Sequence, residues 1–89
     1  MARVRISNVE VEEGGLYTAS IQVSYKDKLS EIKVRKLLRK PVRAKAKVEG
    51  DILFISIEDS EGKPLSTCCI HTGHLERGCV DCKSLITPP

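Results

Sequence analysis

The chain has 89 residues, 30% of them charged, with a formal net charge of +3. That length allows one domain, residues 1–89, and leaves no room for a second core. One Phe, two Tyr and no Trp put the burden of the core on Val, Ile and Leu, a thin supply that small domains often supplement with a disulfide or a metal.

The first residues, Met1-Ala2-Arg3-Val4-Arg5, lead into alternation without the apolar stretch of a signal peptide. The longest apolar run, Ile52 to Ile55, is too short to cross a bilayer. The expectation is a soluble, cytoplasmic chain with no membrane partner. Many Lys, Arg and Glu, with Asn8 and Gln22 as the only side-chain amides, is the composition of thermophilic proteins. In hyperthermophiles, intracellular disulfides are common.

Residues 1–67 read as a β-rich body. Val4, Ile6, Val9 and Val11 suit a first strand, and the step from Ile6 to Val9 breaks the alternation as a bulge would. Glu13-Gly14-Gly15 supplies a turn. Tyr17, Ala19, Ile21, Val23 and Tyr25 then alternate with polar residues. Within Lys28 to Lys40, Leu29, Ile32 and Leu37 share a helical face, Glu31 and Arg35 form an i,i+4 pair, and Pro41 ends the segment. A helix is expected there, although Ile32 and Val34 also alternate as a strand does. A second hairpin follows, from Val42 through Glu49-Gly50-Asp51 to Ile57, and a last strand from Leu65 to Ile70. The expected fold class is α+β, a small, mostly antiparallel sheet in the order β-β-α-β-β-β with a C-terminal Cys/His loop. An all-β small barrel is the alternative.

All four Cys and both His fall within residues 68–82. Cys79-Val80-Asp81-Cys82 has the two-residue gap of a zinc knuckle, and Cys68-Cys69-Ile70-His71 offers a matching Cys-x-x-His pair. Cys68, His71, Cys79 and Cys82 are therefore the expected ligands of a structural zinc ion, with Cys69 and His74 as alternates. If the last strand runs through Cys69, then Cys68 and Cys69 face opposite ways and only one reaches the site. The alternative is no metal, with disulfides from Cys68 or Cys69 to Cys79 or Cys82.

Cys69-Ile70-His71-Thr72-Gly73 resembles the first iron–sulfur box of Rieske proteins, and Cys79-Val80-Asp81-Cys82-Lys83-Ser84 is similar to the second. Cys82 stands where that family has His, and the interval between the boxes is much shorter. The resemblance, over about sixteen residues, implies a [2Fe–2S] cluster and electron transfer. No catalytic frame is visible: a catalytic zinc needs an open position and a carboxylate base, and a thiol nucleophile needs a paired His. The chain is not expected to be an enzyme.

Charge is strongly segregated. Residues 26–47 hold ten basic and two acidic residues. Lys33, Arg35, Lys36, Arg39, Lys40, Arg43, Lys45 and Lys47 are the candidates for phosphate contact, with Arg43, Lys45 and Lys47 on one strand face about 6.5–7 Å apart. The expected partner is nucleic acid, RNA or duplex DNA, because aromatic stacking platforms for single strands are missing. The alternative is an assembly subunit with a disulfide-stabilised C-terminus, whose basic face meets an acidic protein.

Overall fold

A computed structural model describes residues 1–86. Six strands follow in order: β1 (Ala2–Val11), β2 (Tyr17–Tyr25), β3 (Lys28–Leu37), β4 (Arg43–Glu49), β5 (Ile52–Glu58) and β6 (Pro64–His71). A 3-10 turn (Leu75–Arg77) and a five-residue helix α1 (Cys82–Ile86) complete the described residues. The strands form two three-stranded antiparallel sheets, β1-β2-β3 and β4-β5-β6.

The α+β expectation is corrected at Lys28 to Lys40, where the helix is replaced by β3. Two local features hid the strand. Its entry is a two-residue turn, Lys26-Asp27, since Tyr25 pairs with Lys28; Lys26 takes φ 54° there, without the glycine that usually announces such a turn. Its second half carries a bulge: Val34 faces Ala19 and Leu37 faces Tyr17, so Arg35 and Lys36 together oppose Thr18, and Lys36 has φ 61°. The extra residue stretches the apolar interval from two to three. Leu29, Ile32 and Leu37 thereby imitate a helical stripe.

The all-β alternative is nearer, but the sheets do not close into a barrel. β1 and β4 lie side by side with no ladder between them. The bulge expected in β1 is present: Ile6 pairs with Ile21 and Asn8 with Ser20, leaving Ser7 extra.

Alternation determines what each sheet buries. Ala19, Ile21 and Val23 of β2, Ile32 and Leu37 of β3, Leu53, Ile55 and Ile57 of β5, and Cys68 and Ile70 of β6 form one core shared by both sheets. Leu75, on the 3-10 turn, plugs it. Each large aliphatic buried here contributes about 1.5–3 kcal/mol from removal of apolar surface. The turn between β4 and β5 is Gly50-Asp51, with Gly50 at φ 59°, a left-handed conformation that glycine adopts without a Cβ penalty.

Candidate functional site

At the carboxy-terminal cluster, β6 holds Cys68 and Cys69 in succession, so their side chains leave opposite faces of the strand. After β6 the chain turns back, with the His74 N–H donating to His71 O at 2.9 Å. Leu75 enters the core, and Gly78 at φ 76° redirects the backbone. The returning segment then runs antiparallel beside β6: Cys69 N–H donates to Val80 O at 3.2 Å, and Val80 N–H to Cys69 O at 2.9 Å. Cys68 bonds Cys79 with Cα atoms 5.4 Å apart, and Cys69 bonds Cys82 at 4.9 Å. One disulfide lies on each face of the added strand.

This corrects the zinc assignment and its metal-binding consequences. Cys68, Cys79 and Cys82, together with the alternate Cys69, are all consumed in disulfides. Among the described residues no group of three His, Cys, Asp or Glu converges to hold a metal. The physical reason is strand alternation: Cys68 and His71, three residues apart on β6, leave opposite faces and cannot aim at a common ion, while Cys68 and Cys69 each meet a separate cysteine. The same pairing leaves none of these cysteines as a free thiolate for the iron–sulfur boxes. His71 is exposed, and its Nδ1 accepts from the Gly73 N–H at 3.0 Å. His74 is exposed and lies 3.6 Å from Glu76. The disulfide alternative for the cysteines is the one found.

The basic segment is divided rather than continuous. Arg43, Lys45 and Lys47 do share the outer face of β4, opposite Glu58, Ser56 and Phe54 of β5. They are not free of partners. Arg43 and Lys45 both meet Glu58, at 3.3 and 3.5 Å, and Lys47 meets Glu49 at 2.8 Å. The Glu49 carboxylate, mainly through its hydrogen bond, holds the Lys47 ammonium above the usual lysine range. Arg39 donates from Nε to Asp59 at 2.9 Å. That bond, with the N–H groups of Lys63 and Glu61 on the other carboxylate oxygen, holds Asp59 below the usual aspartate range. Lys33, Arg35, Lys36 and Lys40 have no carboxylate within ion-pair distance among the described residues.

Two of these unpaired cations share a face with residues that sequence reasoning passed over. Arg3 and Arg5 alternate with Val4 and Ile6 on β1. Ladder register lays out the outer face of the first sheet in rows: Arg3, Ser24, Leu29; then Arg5, Gln22, Glu31; then Asn8, Ser20, Lys33. β1 and β3 flank β2, so their side chains stand about 10 Å apart over a polar floor. Arg5 donates from Nε and Nη2 to Gln22 Oε1, at 2.9 and 2.7 Å, which fixes its guanidinium across the floor. Leu29 closes one end and is 75% exposed. A shallow depression there is bordered by Arg3, Val4, Arg5, Gln22, Ser24 and Leu29. The signal in the sequence was the Arg-Val-Arg-Ile alternation, but its meaning depends on β3 being a strand.

No family model, curated protein or solved structure matches the chain. Among the described residues no helix is long and apolar enough to cross a membrane.

Proposed function

We propose that the protein is a small, disulfide-stapled interaction module whose first sheet docks an acidic protein segment across Arg3, Arg5, Lys33 and Arg35. The observation that carries this reading is the position of Leu29, 75% exposed and in the same row as the unpaired Arg3. A peptide bearing carboxylates beside an aliphatic side chain satisfies both groups. A phosphate backbone offers Leu29 nothing. Gln22 and Ser24, both partly exposed, supply further hydrogen-bonding groups to an extended segment lying between β1 and β3.

Nucleic acid is the weaker reading. Its row of phosphate contacts, Arg43, Lys45 and Lys47, is engaged by Glu58 and Glu49, so each phosphate must compete with a carboxylate already in place. On this reading the module works where disulfides persist, in an oxidising compartment or in the cytoplasm of a heat-adapted cell.

The test is fluorescence anisotropy with two probes, a labelled peptide of alternating Glu and Leu and a labelled mixed-sequence oligonucleotide, single- and double-stranded. The peptide is expected to bind, with affinity falling as salt rises. Arg3→Glu with Arg5→Glu should weaken it by about tenfold or more, the worth of one charge-assisted hydrogen bond, and Leu29→Asp should weaken it too. Reversal of Arg43, Lys45 and Lys47 should leave it intact. Tight oligonucleotide binding, lost on that last reversal, would replace this proposal with the nucleic-acid one.

A further inference from the structure

Sheet edges expose unpaired N–H and C=O groups that invite pairing with another chain, and proteins guard them with charge, bulges or cover. Here the guards differ from strand to strand. β1 carries Arg3, Arg5 and Glu10 and lies against β4, which carries Arg43, Lys45, Lys47 and Glu49. β3 carries Lys28, Glu31, Lys33, Arg35 and Lys36 and is further broken by its bulge. β6 is guarded at its ends alone, by Pro64 with a bulge at Leu65 and by His71. From Leu65 to Ile70 it reads Leu-Ser-Thr-Cys-Cys-Ile, with no charge and no proline.

Among the described residues the edge of β6 is covered by the returning segment that the two disulfides hold, with α1 packed beside it. The backbone pairing of that cover is a single ladder pair between Cys69 and Val80. Because the Cys69 N–H and C=O point outward, those of Thr67, two residues earlier, point the same way. An uncharged run of this length with strong strand propensity pairs readily with a copy of itself.

We infer that this segment is a thiol-controlled guard, and that its release lets β6 pair edge to edge with β6 of a second copy of this chain. The occupant is a second copy because the two edges are identical and neutral, so nothing repels them, and an antiparallel pairing about a two-fold axis closes without leaving a new edge. Release is reductive. A dithiol thiolate attacks Sγ of Cys79 or Cys82, both partly exposed, while Cys68 and Cys69 are buried. The protein S–S bond breaks, a mixed disulfide forms, and the second dithiol sulfur closes it into a cyclic disulfide. Each protein disulfide gains two electrons and two protons, and the dithiol loses them. The inference is independent of the docking face on the first sheet.

The experiment compares the full chain oxidised and after dithiothreitol, by light scattering behind a sizing column, with circular dichroism to follow the sheets. The oxidised chain should be a monomer. The reduced chain should show doubled mass and retained sheet signal, with the Cys69 amide still protected from hydrogen exchange and the Thr67 amide newly protected. Thr67→Lys, an exposed position, puts a charge on the edge and should keep the reduced chain monomeric. A reduced chain that stays monomeric, that loses its sheet signal, or that associates equally well with Lys at position 67 would overturn the inference.

Discussion

Lys36 offers the sharpest test of the fold, because the sign of the effect depends on which structure is right. Its backbone sits at φ 61° in the β3 bulge. A non-glycine residue held in the left-handed region costs about 1–2 kcal/mol that glycine does not incur, and glycine's greater freedom in the unfolded chain takes back about 0.5–1 kcal/mol. Lys36→Gly is therefore expected to leave stability unchanged or raise it by up to about 1.5 kcal/mol. In the interior of a helix the same substitution would cost about 1 kcal/mol. Lys36→Val, with a β-branched side chain in that conformation, should cost about 1–2 kcal/mol. Urea unfolding followed by circular dichroism reads both, as midpoint shifts of about 0.3–1 M for each kcal/mol at a slope of about 1–3 kcal/mol/M. A drop of about 1 kcal/mol for Lys36→Gly would refute the bulge and reinstate the helix.

Three further outcomes are expected. The disulfides link residues 11 and 13 apart, each worth about 3 kcal/mol alone, but with one intact the other closes a ring of only about six residues. Cys69→Ala with Cys82→Ala should then lower the urea-derived stability by about 2 kcal/mol rather than 3. Leu75 is 2% exposed in the core, so Leu75→Ala should cost about 2–5 kcal/mol in a thermal or urea titration. Asp59 has a folded pKa below the ordinary 3.8, so its ion pair and hydrogen bonds stabilise the protein fully above that value. The contribution fades as pH falls through it toward the folded pKa. Unfolding midpoints recorded from pH 5 downward should decline less steeply in Asp59→Asn than in the wild type.

Much of the architecture follows from alternation alone. β1 with its bulge at Ser7, β2 and the β4–β5 hairpin obey the two-residue period, and each hairpin turn but one carries glycine. β3 escaped because Lys26-Asp27 makes a tight turn without glycine and because a bulge shifted Leu37 onto an apparent helical stripe. The helical stripe also hid the face proposed for docking, since Arg3 and Arg5 join Lys33 and Arg35 only when β3 lies beside β2. The cysteines were legible as a staple. Their spacing points to zinc first, with disulfides as the alternative, and what decides for disulfides is the pleat of β6, which aims Cys68 and Cys69 at different partners.

Amide chemical-shift mapping of the isotope-labelled protein, titrated with the Glu/Leu peptide, tests the docking face most directly. The expected perturbations follow the outer face of the first sheet, at Arg3, Arg5, Gln22, Ser24, Leu29 and Lys33. Shifts gathered instead around Lys45, Lys47 and Phe54, or none at all, would contradict it.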